Sequence, residues 1–196
     1  MPTGLKRPGE GLGQYCNVTK GRIIYQGEEY GSITGCIEGL RTVEKEYEGN
    51  RRIELQIKVR SEDKETGEVM HYIITATMFY GTKFTTTSTW AWMFLLRLVN
   101  PENKIDQFTE LEIGAYSGSG ESKASCASLR IAGSSTALQG AKIAPEIKDD
   151  PYRWKQVVEK AYDRAVEMFG TFGKDNHDEY VDTNEPPPIT DDDLPF

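Results

Sequence analysis

The chain has 196 residues, with 23 Lys+Arg against 31 Asp+Glu and three cysteines, which suits one domain plus an appendage. Its longest uninterrupted apolar run, Trp90 to Leu96, is far below the roughly 18 residues of a membrane span, and Met1 to Glu10 lacks the apolar stretch of a secretory signal. Cys16, Cys36 and Cys126 form no CxxC pair, which argues against a disulfide framework or structural zinc and points to a reducing cytoplasm.

The net charge of −8 is unevenly placed. Residues 174–196 hold eight carboxylate side chains against Lys174 alone, while residues 1–173 hold 22 basic and 23 acidic side chains. The global charge therefore describes the end of the chain and says little about its body.

In chain order, Leu12 to Gln26, with Val18, Ile23, Ile24 and Tyr25, offers one or two extra strands ahead of the main pattern. From Gly31 to Lys142 the apolar period is mostly two, broken by Gly, Asn and Asp turn signals. A first strand is expected over Ser32 to Tyr47, with Gly35 and Gly39 at bends or bulges. Glu48-Gly49-Asn50 is a turn. The second strand, Arg51 to Arg60, alternates Ile53, Leu55, Ile57 and Val59 with Arg52, Glu54, Gln56, Lys58 and Arg60, which predicts one buried face and one wet, net basic face.

The third strand, Glu68 to Tyr80, is rich in β-branched and aromatic residues, and one face is expected to carry His71, Thr75, Thr77 and Phe79. The period then changes. Thr85 to Thr89 make a hydroxyl available as N-cap for a helix expected over Trp90 to Val99, with Trp92, Leu95, Leu96 and Val99 at helical spacing and Pro101 beyond it. A fourth strand, Phe108 to Tyr116, and a fifth, Ala127 to Gly133, flank a Gly/Ser loop. Three strands, a helix and two strands is the order of an OB-fold, a small Greek-key barrel.

Asp149-Asp150-Pro151 opens a second helix, in which Trp154, Val157, Val158, Ala161, Tyr162, Ala165 and Phe169 make an apolar stripe. The stripe either packs on the barrel or forms a self-association face. Trp90, Trp92 and Trp154 are assigned to packing. The expected organisation is an OB-fold domain with an N-terminal extension over 1–148, an amphipathic helix over 149–173 and a disordered acidic tail over 174–196, whose Pro186-Pro187-Pro188 and scarcity of aliphatics oppose a core.

The tail closes on Asp191-Asp192-Asp193-Leu194-Pro195-Phe196, three carboxylates ahead of an apolar tripeptide, which suits a small hydrophobic pocket with a basic rim. These last residues resemble the acidic tip of bacterial single-stranded DNA-binding proteins. The resemblance implies recruitment of replication, recombination and repair proteins through Asp191, Asp192, Asp193, Leu194, Pro195 and Phe196. It also implies a tip that competes with DNA for the binding groove. The N-terminal extension and the capped helix depart from the bacterial layout and look more like a bacteriophage or mobile-element replication protein, in a bacterial or phage-infected cytoplasm.

Catalytic signals are sparse. There are two histidines, His71 and His177, and no HExxH, GxSxG or Cys/His cluster. The Gly118 to Lys123 loop lacks the spacing of a phosphate cradle, and no cofactor or metal is implied. Single-strand binding instead needs cations that follow phosphates, interleaved with rings on which bases stack. The candidates are Tyr47, Arg51, Arg52, Lys58, Arg60, His71, Phe79, Tyr80, Lys83, Phe84, Tyr116 and Arg130. The expectation is a non-enzymatic single-stranded DNA-binding protein with little sequence preference, a tail that recruits partners, and self-association left open. The competing reading is an OB-fold adaptor that links protein partners.

Overall fold

A computed structural model describes residues 13–81, 86–119, 123–173 and 194–196. It is mainly β, an open sheet curled into a half barrel. The strands are β1 (Gln14–Thr19), β2 (Arg22–Tyr25), β3 (Glu28–Tyr30), β4 (Ser32–Tyr47), β5 (Asn50–Glu62), β6 (Val69–Tyr80), β7 (Thr86–Thr87), β8 (Leu111–Ser117) and β9 (Ser125–Ile131). The helices are α1 (Thr89–Leu98), a single turn α2 (Pro145–Lys148) and α3 (Pro151–Phe169). The sheet runs β3-β2-β1-β6-β5-β4-β8-β9, with β7 on β6. Every ladder is antiparallel except β1 with β6.

The curl comes from β4. Most of this strand pairs with β5, while its first residues, Ser32 to Gly35, pair with β8. At Gly35 a Cβ would lie 2.3 Å from the Arg60 carbonyl oxygen, so the close approach of two strands at this corner needs glycine. A bulge between Ile37 and Gly39 bends the same strand. Among the described residues β9 makes no ladder with β6. The helix α1 packs against both strands, and the edge of β6 is taken by β1 from the N-terminal extension.

The core lies inside the curl. Leu40, Ile57, Ile74 and Cys16 form one row across β4, β5, β6 and β1, all fully buried. Trp90 stacks on Phe94 with ring centres 5.2 Å apart, and its indole N–H donates to the Gly114 carbonyl at 3.0 Å. A ring of this size is stable inside only with such a partner.

Helix α3 starts as its sequence demands. The Asp150 carboxylate accepts from the Tyr152 and Arg153 backbone N–H groups, and Pro151 needs no partner at the first position. Its stripe of Val157, Val158, Ala161, Ala165 and Phe169 is buried within the chain against α1 and β4. Packing, not self-association, uses this face. Trp154 meets Trp92 edge to face at 5.2 Å and donates its N–H to the Thr87 hydroxyl. After Gly170 the chain returns over β4, where Thr171 bridges Leu40 and Phe172 is buried.

Candidate nucleic-acid interface

The outer face of β4, β5, β6 and β1 is built by strand alternation. Register places Arg41 beside Gln56, Gln56 beside Thr75 and Thr75 beside Asn17. One step along, Lys58 lies beside Ile73 and Ile73 beside Tyr15. At the hairpin end Lys45, Arg52 and Tyr80 share a row.

A bulge decides which aromatic faces outward at the end of β6. Thr77 pairs with Glu54 and Phe79 with Ile53, so Met78 is the extra residue. An extra residue reverses the inside and outside assignment beyond it. Phe79 therefore joins the core and is 0% exposed, which corrects the expectation that it shares the outer face with His71, Thr75 and Thr77. Tyr80 is the ring that reaches the surface, next to Arg52.

The remaining candidates fall into three groups. Tyr47, Arg51, Arg52 and Tyr80 cluster at the β4–β5 hairpin end, with Tyr47 52% exposed. Lys58, Arg60 and His71 lie at the middle of the outer face and the far end of β5. Tyr116 and Arg130 belong to the separate β8–β9 pair. Lys83 and Phe84, and the tip residues Asp191, Asp192 and Asp193, lie outside the described residues.

The basic face of β5 is more balanced than its alternation implies. Arg51 pairs with Glu44, Arg52 with Glu54 at 3.0 Å, Lys58 with Glu38 at 3.0 Å, Arg60 with Glu62 at 3.0 Å and Arg130 with Glu112 at 3.6 Å. Glu54 is only 4% exposed, because Lys45 from β4 reaches over it at 2.6 Å. Glu38 also accepts a contact from His71 Nδ1 at 2.9 Å. Burial pushes the Glu38 carboxyl up, but Lys58 and His71 together outweigh it and hold the group below its ordinary value.

Arg41 is the exception. Among the described strand residues it is the cation with no carboxylate partner within ion-pair distance. Its guanidinium donates to the Gln56 side-chain oxygen at 2.9 Å and to the Tyr15 hydroxyl at 3.2 Å, and it lies 4.7 Å from the centre of the Phe172 ring. Beside it, a shallow groove is lined by Glu38, Lys58, Phe108, Thr171 and Phe172. Phe108, in the turn before β8, is 79% exposed.

Arg41, Tyr15, Phe108 and Phe172 were not among the sequence candidates. Arg41 sits beyond the β4 bulge, where parity is lost, and Phe108 reads as the first residue of a strand that in fact begins at Leu111. A second concavity, of about 250 Å³, lies inside the curl between the N-terminal strands and β4, walled by Tyr25, Tyr30 and Tyr72. It carries no ionised side chain on its lining. Among the described residues no cluster of three His, Cys, Asp or Glu is placed to hold a metal ion, and no helix is long and apolar enough to cross a membrane.

The last three residues return to the body. Leu194 and Phe196 are half-buried and share a cleft on α3 with Lys160, Asp163, Arg164 and Glu167. Comparison of the chain with protein-family models, with curated proteins and with solved structures finds no match.

Proposed function

We propose that the protein binds single-stranded DNA with little sequence preference, in replication or recombination, and recruits partner proteins through its C-terminal tip. The observation that carries this reading is the strip around Arg41, in which an unneutralised guanidinium is backed by the buried Phe172 ring and lies beside the exposed Tyr15, with Phe108 open to solvent in a groove that Lys58 also lines. Rings interleaved with cations are what sequence-tolerant binding to unpaired strands requires, each stacked base contributing about 1–3 kcal/mol.

The ladders are compatible with an OB-fold as the finer description. Pairings β4–β5, β5–β6, β4–β8 and β8–β9 give a five-strand curl with α1 between its third and fourth strands. Such barrels take oligonucleotides on their second and third strands and on the loops after strands one and four. Here those are β5, β6, the turn at Glu48-Gly49 and the loop after Ser117. The β1 ladder on β6 and the absence of a described β6–β9 ladder are departures from a simple closed barrel.

A second reading is favoured by the ion pairs just described. A face whose cations are almost all neutralised attracts phosphates weakly, which suits an adaptor that binds protein through the curl and a second partner through the tip. Fluorescence-anisotropy titration of a labelled oligo-dT with the full chain at low and moderate salt separates the two. Salt-sensitive binding to the single strand, with weaker binding to an equal duplex, is expected. No binding to the oligonucleotide at either salt leaves the adaptor.

A further inference from the structure

The core face of α3 is filled from within, and its other side carries charged side chains and a cleft. Lys160 and Arg164, and likewise Asp163 and Glu167, are four residues apart, so the four line one side of the helix. Leu194 and Phe196 lie on that side, half-buried, in a cleft of about 500 Å³. Two apolar side chains lose water there, on a face where Lys160 and Arg164 stand beside Asp163 and Glu167 and Arg164 pairs with Glu167 at 2.7 Å.

We propose that this face of α3 is the seat of the chain's own C-terminal Leu194-Pro195-Phe196, and that the tip is held there in cis until a partner protein competes for it. The inference stands apart from DNA binding, since the seat is α3 and not the outer face of the sheet.

Chain length permits it. Lys160 is about 15 Å along the helix from Gly170 at 1.5 Å per residue, and residues 174–193 supply far more reach than that at about 3.3 Å per extended residue. A tether of this length holds its end at an effective concentration on the order of millimolar. A weak, mainly apolar contact is then largely occupied in cis, although the same contact between separate molecules is negligible at micromolar protein. A partner must exceed that local concentration, which sets a threshold against non-specific capture of the tip.

The test titrates a fluorescein-labelled peptide of residues 189–196 with the full-length chain up to about millimolar concentration, the range in which the contact between separate molecules becomes visible, and follows anisotropy. The variant Leu194→Ser with Phe196→Ser empties the seat and is expected to bind the probe at least about tenfold more tightly than the wild-type chain. Adding Lys160→Glu and Arg164→Glu to that variant abolishes the binding; Arg164 is exposed and Lys160 half-buried, and circular dichroism checks that the fold is kept. In parallel, backbone amide shifts in the wild-type chain and in Phe196→Ser differ at 160–167. Equal probe binding by the wild-type and emptied chains, no binding by either, or binding indifferent to the charge reversal overturns the proposal.

Discussion

The Arg41 guanidinium lies 4.7 Å from the centre of the Phe172 ring while donating to the Tyr15 hydroxyl, so one side chain ties β4 to β1 and to the segment that follows α3. An arginine held by neutral partners keeps its full charge available to a phosphate, and its planar fork is already oriented. Arg41→Ala is expected to weaken single-strand binding by about tenfold and to lower the salt slope by about 0.7, the contribution of one phosphate contact. Phe108→Ala is expected to cost about 1–3 kcal/mol of binding with the salt slope unchanged. Anisotropy titrations across a salt series check both. If neither variant alters affinity, the strip around Arg41 is not the interface.

Glu38 opposes the same function, because it neutralises Lys58 and contacts His71. Glu38→Gln frees the Lys58 charge, so single-strand affinity at neutral pH is expected to rise severalfold and its salt dependence to steepen. The adaptor reading expects neither change. The same substitution has a stability signature. A carboxyl held below its ordinary value in the fold adds stability that is present above the unfolded-state value and fades as pH falls through the depressed one. Denaturant titrations should therefore give the wild-type chain a loss of stability below about pH 4.3 that Glu38→Gln lacks in part.

The Met78 bulge gives two adjacent aromatics opposite fates. Phe79 is fully buried, and truncation to Ala is expected to remove about 3–5 kcal/mol of stability, as for other large core side chains. Tyr80 faces out, and Tyr80→Ala should cost about 1 kcal/mol, well below the loss for Phe79. Urea unfolding at constant m-value checks the contrast. Similar losses for the two variants mean that the parity reversal at Met78 is absent in solution.

Much of the fold is legible in the sequence because burial imposes periodicity. The strand expected over Ser32 to Tyr47 runs over those residues, and the Asp150-Pro151 cap starts the helix where it is read. Legibility fails where one residue is inserted. Period two carries Phe79 to the wet face, and only pairing with Ile53 reveals the extra residue at Met78. Arg41 is hidden for a related reason, lying beyond the β4 bulge. Ion pairing is also invisible to alternation, since Lys58 and Glu38 meet across two strands whose register the sequence does not state. The candidate site was thus legible as a set of strands, while the identity of the free cation depended on tertiary neighbours.

The N-terminal extension is anchored at Gly21, in the turn between β1 and β2. The Gly21 N–H donates to the Ser125 hydroxyl at 2.9 Å, and the Ser117 hydroxyl donates to the neighbouring Lys20 carbonyl at 3.0 Å, so this turn is fastened to the β8–β9 pair while β1 pairs with β6. The hairpin thereby spans the open side of the curl. Gly21 has φ +71°, and a Cβ there would lie 2.2 Å from the Ser117 backbone nitrogen. Gly27, in the next turn, has φ +86° and nothing within 4 Å. Gly27→Ala should therefore carry the left-handed backbone cost alone, about 1–2 kcal/mol, whereas Gly21→Ala adds a backbone collision that only separation of the turn from β8 relieves. The expected result is a larger loss of stability for Gly21→Ala and faster amide exchange in β1 and β2 than in α1 and α3. Equal losses for the two glycines mean that the turn is not fastened to β8, and that β1 alone covers the free edge of β6.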